Sequence, residues 1–251
     1  MSSYVGVDGC KAGWFAIALT DNDDAWSHGV YDSAESLVSQ YSNASQIYID
    51  IPIGLRDGGS EGRSCDTAAR KLLGSPRASS VFTPPARPSI SADDYQTASN
   101  TNSELTGRKL SRQAWGIVPK IKEVDQLMQS DSNARGLLVE VHPELLFWSL
   151  NDQRPMQYNK KKPAGQTERL DVLRRWLPKT TDEIYQDALA SYLRKNVARD
   201  DILDALVAAV AGCQSNGNMT NVPEPPEIDP IGLPMRMVTP NLKDQASHGR
   251  N

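Results

Sequence analysis

The placement of its acids limits what this chain can fold into more than any other feature. Asp8 in YVGVDG, Asp50 in IYIDIP and Glu140 in LLVEVHPE each lie in or at the end of an apolar, strand-like run. Asp201 and Asp204 open the apolar, helix-like run RDDILDALVAA. A carboxylate among apolar neighbours is costly unless compensated, and a divalent cation compensates several at once. The fold must gather these acids or give each a partner, and the expectation is one metal site.

Composition leaves room for this. With 251 residues, 39% of them hydrophobic, the chain can bury a sizeable core. No apolar run approaches the roughly 20 residues of a bilayer crossing. The opening MSSYVGVDG moves into a strand pattern without signal-peptide character, so no membrane partner and a cytoplasmic location are expected. Cys10, Cys65 and Cys213 are widely spaced with no CxxC pair, which excludes a disulfide framework or a zinc knuckle. Lys and Arg total 27 against 31 Asp and Glu, a net charge of −4. That excludes a strong non-specific DNA binder, so a nucleic-acid partner would have to use a local basic patch. The local basic concentration is Lys160, Lys161 and Lys162, followed by Arg169, Arg174 and Arg175.

Along the chain, YVGVDGCKAGWFAIALT reads as a hairpin, with Gly6, Gly9 and Gly13 as turn glycines. Residues 25–31 give a third strand and Ser33 caps a short helix to Tyr41. IYIDIPIG is a strand buried on both faces. RSCDTAARKLLG is a helix stopped by Gly74, with Arg63, Asp66 and Arg70 on one face, either a solvated ion-pair ladder or a phosphate contact. Residues 75–107, rich in Pro, Ser, Thr and Asn, read as an insertion or lid. A helix follows from Leu110 or Ser111, broken or bent at Pro119. LLVEVHPELLFWSL passes from a strand through Val141 into a helix, Lys160–Trp176 starts as a basic loop and becomes an amphipathic helix, and further helices are expected over Ile184–Leu193 and the RDDILDAL segment. NVPEPPEIDPIGLPMRMVTP ends in one edge strand, MRMVT, and residues 241–251 form a disordered tail.

Three strands, a helix, a strand, helices, a strand and a closing helix is the element order of the ribonuclease H-like fold. The expectation is one α/β domain over residues 1–240, with insertions at about 75–130 and 150–198. Its sheet is mixed, three antiparallel strands then two parallel ones, with a central first strand and flanking helices. The carboxyl ends of neighbouring parallel strands would bring Asp8, Asp50 and Glu140 together.

Six blocks carry a more specific resemblance: VGVDGCKAGW, IDIPIGL, CDTAARKLLG followed by SSVF, QAWGIVPKIKEVD, EVHPELLFW and DDILDALVAA. In order and spacing they resemble the domain-of-unknown-function 429 family of predicted ribonuclease H-like nucleases, over nearly the whole chain. DILDAL also resembles the acidic helix of Holliday-junction resolvases. The resemblance implies the fold and a nuclease-type hydrolase.

The chemistry suits the residue types. Mg²⁺ or Mn²⁺ prefers carboxylate oxygens and keeps several waters. Two such ions about 4 Å apart can activate water and stabilise the leaving oxygen of a phosphodiester. Asp8, Asp50 and Asp204 are the expected first ligands, with Asp201 and Glu140 completing the site; Asp201 and Asp204 share a helix face. His142 could assist proton transfer or ligate a metal. Arg63, Arg70, His142 and Lys160–Lys162 are the candidates for substrate contact. Two other readings stay open: a non-nuclease relative binding a nucleotide or phosphorylated ligand, and a scaffold or regulatory protein whose acids bind metal only for stability.

Overall fold

The computed structural model describes residues 2–21 and 25–242. The tail expected to be disordered lies outside the described residues from residue 243 onward. Three antiparallel strands come first: β1 (Ser3–Cys10), β2 (Gly13–Thr20) and β3 (Trp26–Tyr31). Helix α1 (Ala34–Gln40) leads to β4 (Gln46–Ile49), parallel to β1, and later β5 (Leu138–Glu140) lies parallel to β4. The sheet order is β3-β2-β1-β4-β5, so the first strand is central, as expected.

Between β4 and β5 stand α2 (Ser64–Leu73), α3 (Tyr95–Thr106), α4 (Arg112–Ser130) and α5 (Ser132–Leu137). After β5 come α6 (Pro143–Leu150), α7 (Pro163–Trp176), α8 (Thr181–Ser191) and α9 (Arg199–Gln214). Local chemistry explains most ends. Ser33 caps α1 in a reciprocal capping box, Asp94 caps α3 and Ser111 caps α4. Gly107 closes α3 in the left-handed conformation that a residue without Cβ adopts most readily.

Strand alternation sorts the sheet's side chains onto two faces. Val5, Val7, Ala16, Ile47 and Ile49 join Leu37, Val118, Ile121 and Val124 in one core, under α1 and α4. Tyr4, Phe15, Ile17 and Tyr48 join Phe147, Leu173, Ile184 and Leu206 in the other, under α6 to α9. α9 lies directly on β1. A Cβ at Gly6 would come within 2.0 Å of the Ala205 carbonyl oxygen and 2.3 Å of the Ala209 nitrogen. Gly6 is thus a mid-strand glycine required by helix approach, not a turn glycine; of the three, Gly13 makes the turn, at φ +134.

Residues 75–107, expected as an insertion or lid, hold α3, whose Asn102 accepts from Ala86 N–H and donates to the Arg108 carbonyl. Three expectations are corrected. α4 runs unbroken through Pro119, its apolar face held by Val118, Ile121 and Val124. The chain's end makes two strands, β6 (Met219–Ile228) and β7 (Pro234–Pro240), in a sheet of their own instead of one edge strand. Its ladder shifts register between Val222 and Glu227, where Pro223, Pro225 and Pro226 offer no N–H to pair. Arg63 and Asp66 form no solvated ladder: they are 2% and 0% exposed.

Candidate functional site

Sheet parity and one close helix crossing build the site. Asp8 follows Gly6 on the α9 face of β1, and Asp50, whose N–H extends the parallel ladder to the Val7 carbonyl (3.0 Å), follows Tyr48 on the same face. Because α9 crosses β1 at Gly6 through Ala205, the adjoining Asp204 is carried to the same place. Asp201, one turn earlier, accepts from its own helix's Ala198 N–H at 2.8 Å. Into this group comes Lys160, from the irregular segment between α6 and α7, and its Nζ bonds Asp204 Oδ2.

Electrostatics binds the group together. Burial, then Asp204 and Asp50, push the Asp8 carboxyl well above the usual carboxylate range. Burial and then Asp204 push Asp50 up to about 7, against the pull of Lys160. Burial raises Asp201 to about 6, against its capping bond. Burial pulls the Lys160 ammonium down, but Asp204, Asp8 and Asp50 outweigh it and hold it above its ordinary value. Lys120 of α4 is also nearby, donating to the Gly13 carbonyl (2.5 Å) with its ammonium 4.3 Å from the Trp14 ring centre.

Glu140 is not part of this group. Alternation turns it to the face of Leu138 and Ile49, where Arg63 Nη2 and Nη1 meet its two oxygens at 2.7 and 2.8 Å and Ile53 N–H adds a third bond at 2.7 Å. Burial pushes this carboxyl up to about 7 while Arg63 pulls it back. Burial also pulls Arg63 down, but Glu140 and Asp66 outweigh it and hold the guanidinium charged. With charge-assisted bonds to both oxygens, the ionised pair is the form this geometry supports.

The expected substrate contacts scatter. Arg63 is spent on Glu140 and Asp66. Arg70 is tied to the Val81 carbonyl and Thr83 Oγ1. The basic patch dissolves: Lys160 enters the acidic group, Arg169 is fully buried on Glu144, Arg174 pairs with Asp171 and Asp182, and Arg175 bonds Asn151. Lys161 and Lys162 stay exposed. His142 directs Nε2 to the Ser80 carbonyl at 3.4 Å and leaves a buried Nδ1 without a partner. Burial lowers its pKa to about 4, so it is neutral at pH 7.

Two participants have places the sequence does not show. Lys160 is among the candidate substrate contacts, but a run of three lysines shows nothing of which one turns inward to the acids. Glu144, in the first turn of α6, where an acid reads as helix-end charge that could reach the site, is 6% exposed with Oε2 unpartnered; its pKa is raised, by burial first, with Asp204 among the neighbouring charges.

The arrangement does not fit the expected two-ion centre. Among the described residues no three Asp, Glu, His or Cys side chains are placed to hold a metal ion. Glu140 is committed to Arg63, Asp201 to a helix cap, and Asp204 to Lys160. What the group offers is two carboxyls of raised pKa, the buried Asp8 and the half-buried Asp50, beside an ammonium bonded to Asp204.

No curated protein and no solved structure matches this sequence. One family model does, that of the protein of unknown function DUF429, over residues 6–228. The chain belongs to that family.

Proposed function

We propose that this member of the DUF429 family is a ribonuclease H-like phosphodiester hydrolase acting on nucleic acid, with Asp8, Asp50, Asp204 and Lys160 as its reacting group. The reading rests above all on four ionisable side chains, from β1, the end of β4, α9 and the segment before α7, that feel one another on one face of the sheet. Groups from distant parts of a chain converge in this way where they act together, and pKa values pushed far from ordinary mark such places.

The residues divide the work by charge. Asp50, titrating near 7, can take a proton from water. Asp8, pushed well above the usual carboxylate range by burial and then by Asp204, is suited to give a proton. Lys160 offers an ammonium to a phosphate oxygen, and Asp204 fixes that ammonium in place. Mg²⁺ or Mn²⁺ at Asp204 would have to take the place of the Lys160 ammonium bonded there. The test is incubation with mixed labelled DNA and RNA in Mg²⁺, Mn²⁺ or EDTA. Shortened fragments support the reading, and intact substrate in all three conditions removes it.

A second reading has its own observation. A cavity of about 240 Å³ is lined by Arg56, Arg108, Lys109, Phe82 and Pro84. Cationic and apolar walls together suit a nucleotide or another phosphorylated small molecule. Saturable nucleotide binding lost in Arg108→Ala, without strand cleavage, would favour this use of the fold.

A further inference from the structure

The basic patch expected around Lys160 dissolves, yet a cationic surface is assembled elsewhere from residues far apart in the chain. The cavity of about 240 Å³ lined by Arg56, Arg108 and Lys109 adjoins a wider, more open groove of about 790 Å³, and the two share Arg56, Gly62, Thr83 and Arg108. Beyond that seam the groove is lined by Arg70 and Lys71 of α2. Among the described residues, Arg70, Lys71, Arg108 and Lys109 form no ion pair; Arg56 pairs with Glu227 at 2.9 Å, and Glu61 is the one further acid on the lining. An excess of cations gathered in one groove, on a chain of net charge −4, points to an anionic partner.

The walls of this groove are held in place by hydrogen bonds. Asn102 donates to the Arg108 carbonyl at 2.7 Å, Tyr95 to the Leu110 carbonyl at 2.9 Å, and Leu110 N–H to Ser99 Oγ at 3.3 Å, so α3 fixes the link that carries Arg108 and Lys109. On α2, Arg70 donates from Nε to the Val81 carbonyl at 2.9 Å and from Nη2 to Thr83 Oγ1 at 2.8 Å, which ties that helix to the segment carrying Phe82. Gly59 N–H donates to the Leu105 carbonyl at 2.8 Å and Arg56 Nε to the Gly62 carbonyl at 3.0 Å, anchoring the loop between them. The smaller cavity is apolar as well as cationic, with the half-buried Phe82 beside Pro84 and Leu110 on its lining. An aromatic face there suits the stacking of one unpaired base, and the row of cations suits the phosphates that follow it. A base held in a duplex is not free to enter, and a mononucleotide would leave Arg70 and Lys71 without a partner. A single strand serves both halves.

We propose that this groove binds single-stranded nucleic acid, with one unpaired base seated against Phe82 and the neighbouring phosphates held by Arg108, Lys109, Arg70 and Lys71. The choice of nucleic acid as partner rests on the hydrolase reading, which is deepened here by the form of the substrate and by the residues, other than the acids, that hold it. The segment from Phe82 to Lys109, including α3, then serves as one wall of the strand's binding site.

The test is fluorescence anisotropy of labelled oligothymidylate and oligouridylate with the full chain in EDTA, for the wild type, the triple variant Lys71→Gln/Arg108→Gln/Lys109→Gln, and Phe82→Leu. Lys71, Arg108 and Lys109 are exposed, so the triple variant keeps the fold. The expected result is strand binding by the wild type, a Kd raised at least about tenfold in the triple variant, and a slope of log Kd against log salt lower by about 2 for the charges removed. Phe82→Leu should raise Kd about fivefold or more with the salt slope unchanged. Lys161→Gln/Lys162→Gln, at exposed lysines outside the groove, should leave Kd as in the wild type. No strand binding by the wild type, or an equal loss in the triple variant and in this control, overturns the proposal. A mononucleotide that binds where the strand does not overturns it as well and gives the cavity to a small phosphorylated ligand. Strand binding that depends on these residues, with no cleavage in Mg²⁺ or Mn²⁺, would keep this inference and remove the hydrolase reading; cleavage at equal rates by the wild type and the triple variant would do the reverse.

Discussion

Asp50 shows in one side chain the tension that runs through the site. Its carboxyl is pushed up to about 7 from an ordinary value near 4, chiefly by burial and by Asp204. Between those values the folded chain holds a proton that the unfolded chain has released, so this residue's contribution to stability is present below about pH 4 and is lost as pH rises through 7. Asp50→Asn removes that cost. Urea unfolding at pH 8 should find the variant more stable by about 2 kcal/mol, with the gain shrinking toward pH 5. A loss of stability at pH 8 would mean that the charged form is already satisfied. Arg63 is the opposite case, a buried cation serving two buried carboxylates. Arg63→Met strands Glu140 and Asp66 together, and a loss of about 3–5 kcal/mol in the same measurement is expected. A change under 1 kcal/mol would show that both acids simply protonate.

At the scale of elements, the crossing of α9 over β1 decides where Asp204 stands. Gly6 and the alanines of DALVAAVAG are its cause, since a Cβ at Gly6 has no room against the Ala205 carbonyl. Gly6→Val should lower stability by about 3 kcal/mol or more, whereas Gly136→Ala, where a Cβ meets nothing within 4 Å, should fall within about 1 kcal/mol of wild type. Equal melting temperatures for the two variants would remove the crossing as the site's foundation. Most elements were legible because their signals are local: Ser33, Gly74 and Ser111 punctuate helices, and apolar runs mark β1, β2 and β4. α3 was not: Asp94 and Gly107 do mark its ends, but they stand in a Pro-, Ser-, Thr- and Asn-rich stretch, and the anchoring of Asn102 and Ser99 to distant backbone leaves no local pattern. The β6–β7 ribbon was half legible: its prolines argued against a sheet, yet they fall where the ladder is interrupted.

Across the whole molecule, the sheet gathers some of the acids and separates others by parity. Asp8 and Asp50 keep step with Tyr4, Gly6 and Tyr48, while Glu140 keeps step with Leu138 and so meets Arg63 on the far face. That parity was present in LLVEV; the run of acids ending parallel strands hid it. Lys160 was beyond reach of the sequence, because its place depends on how the segment before α7 folds against Glu168 and Arg169. The central claim is that this lysine and the aspartates around it form one hydrolytic group. Its most direct test is the cleavage rate of a labelled oligonucleotide pool by the wild type and by Asp8→Asn, each checked for an unchanged melting temperature. The account predicts cleavage by the wild type and a loss of at least about 100-fold in the variant; equal rates, or an inert wild type, would contradict it.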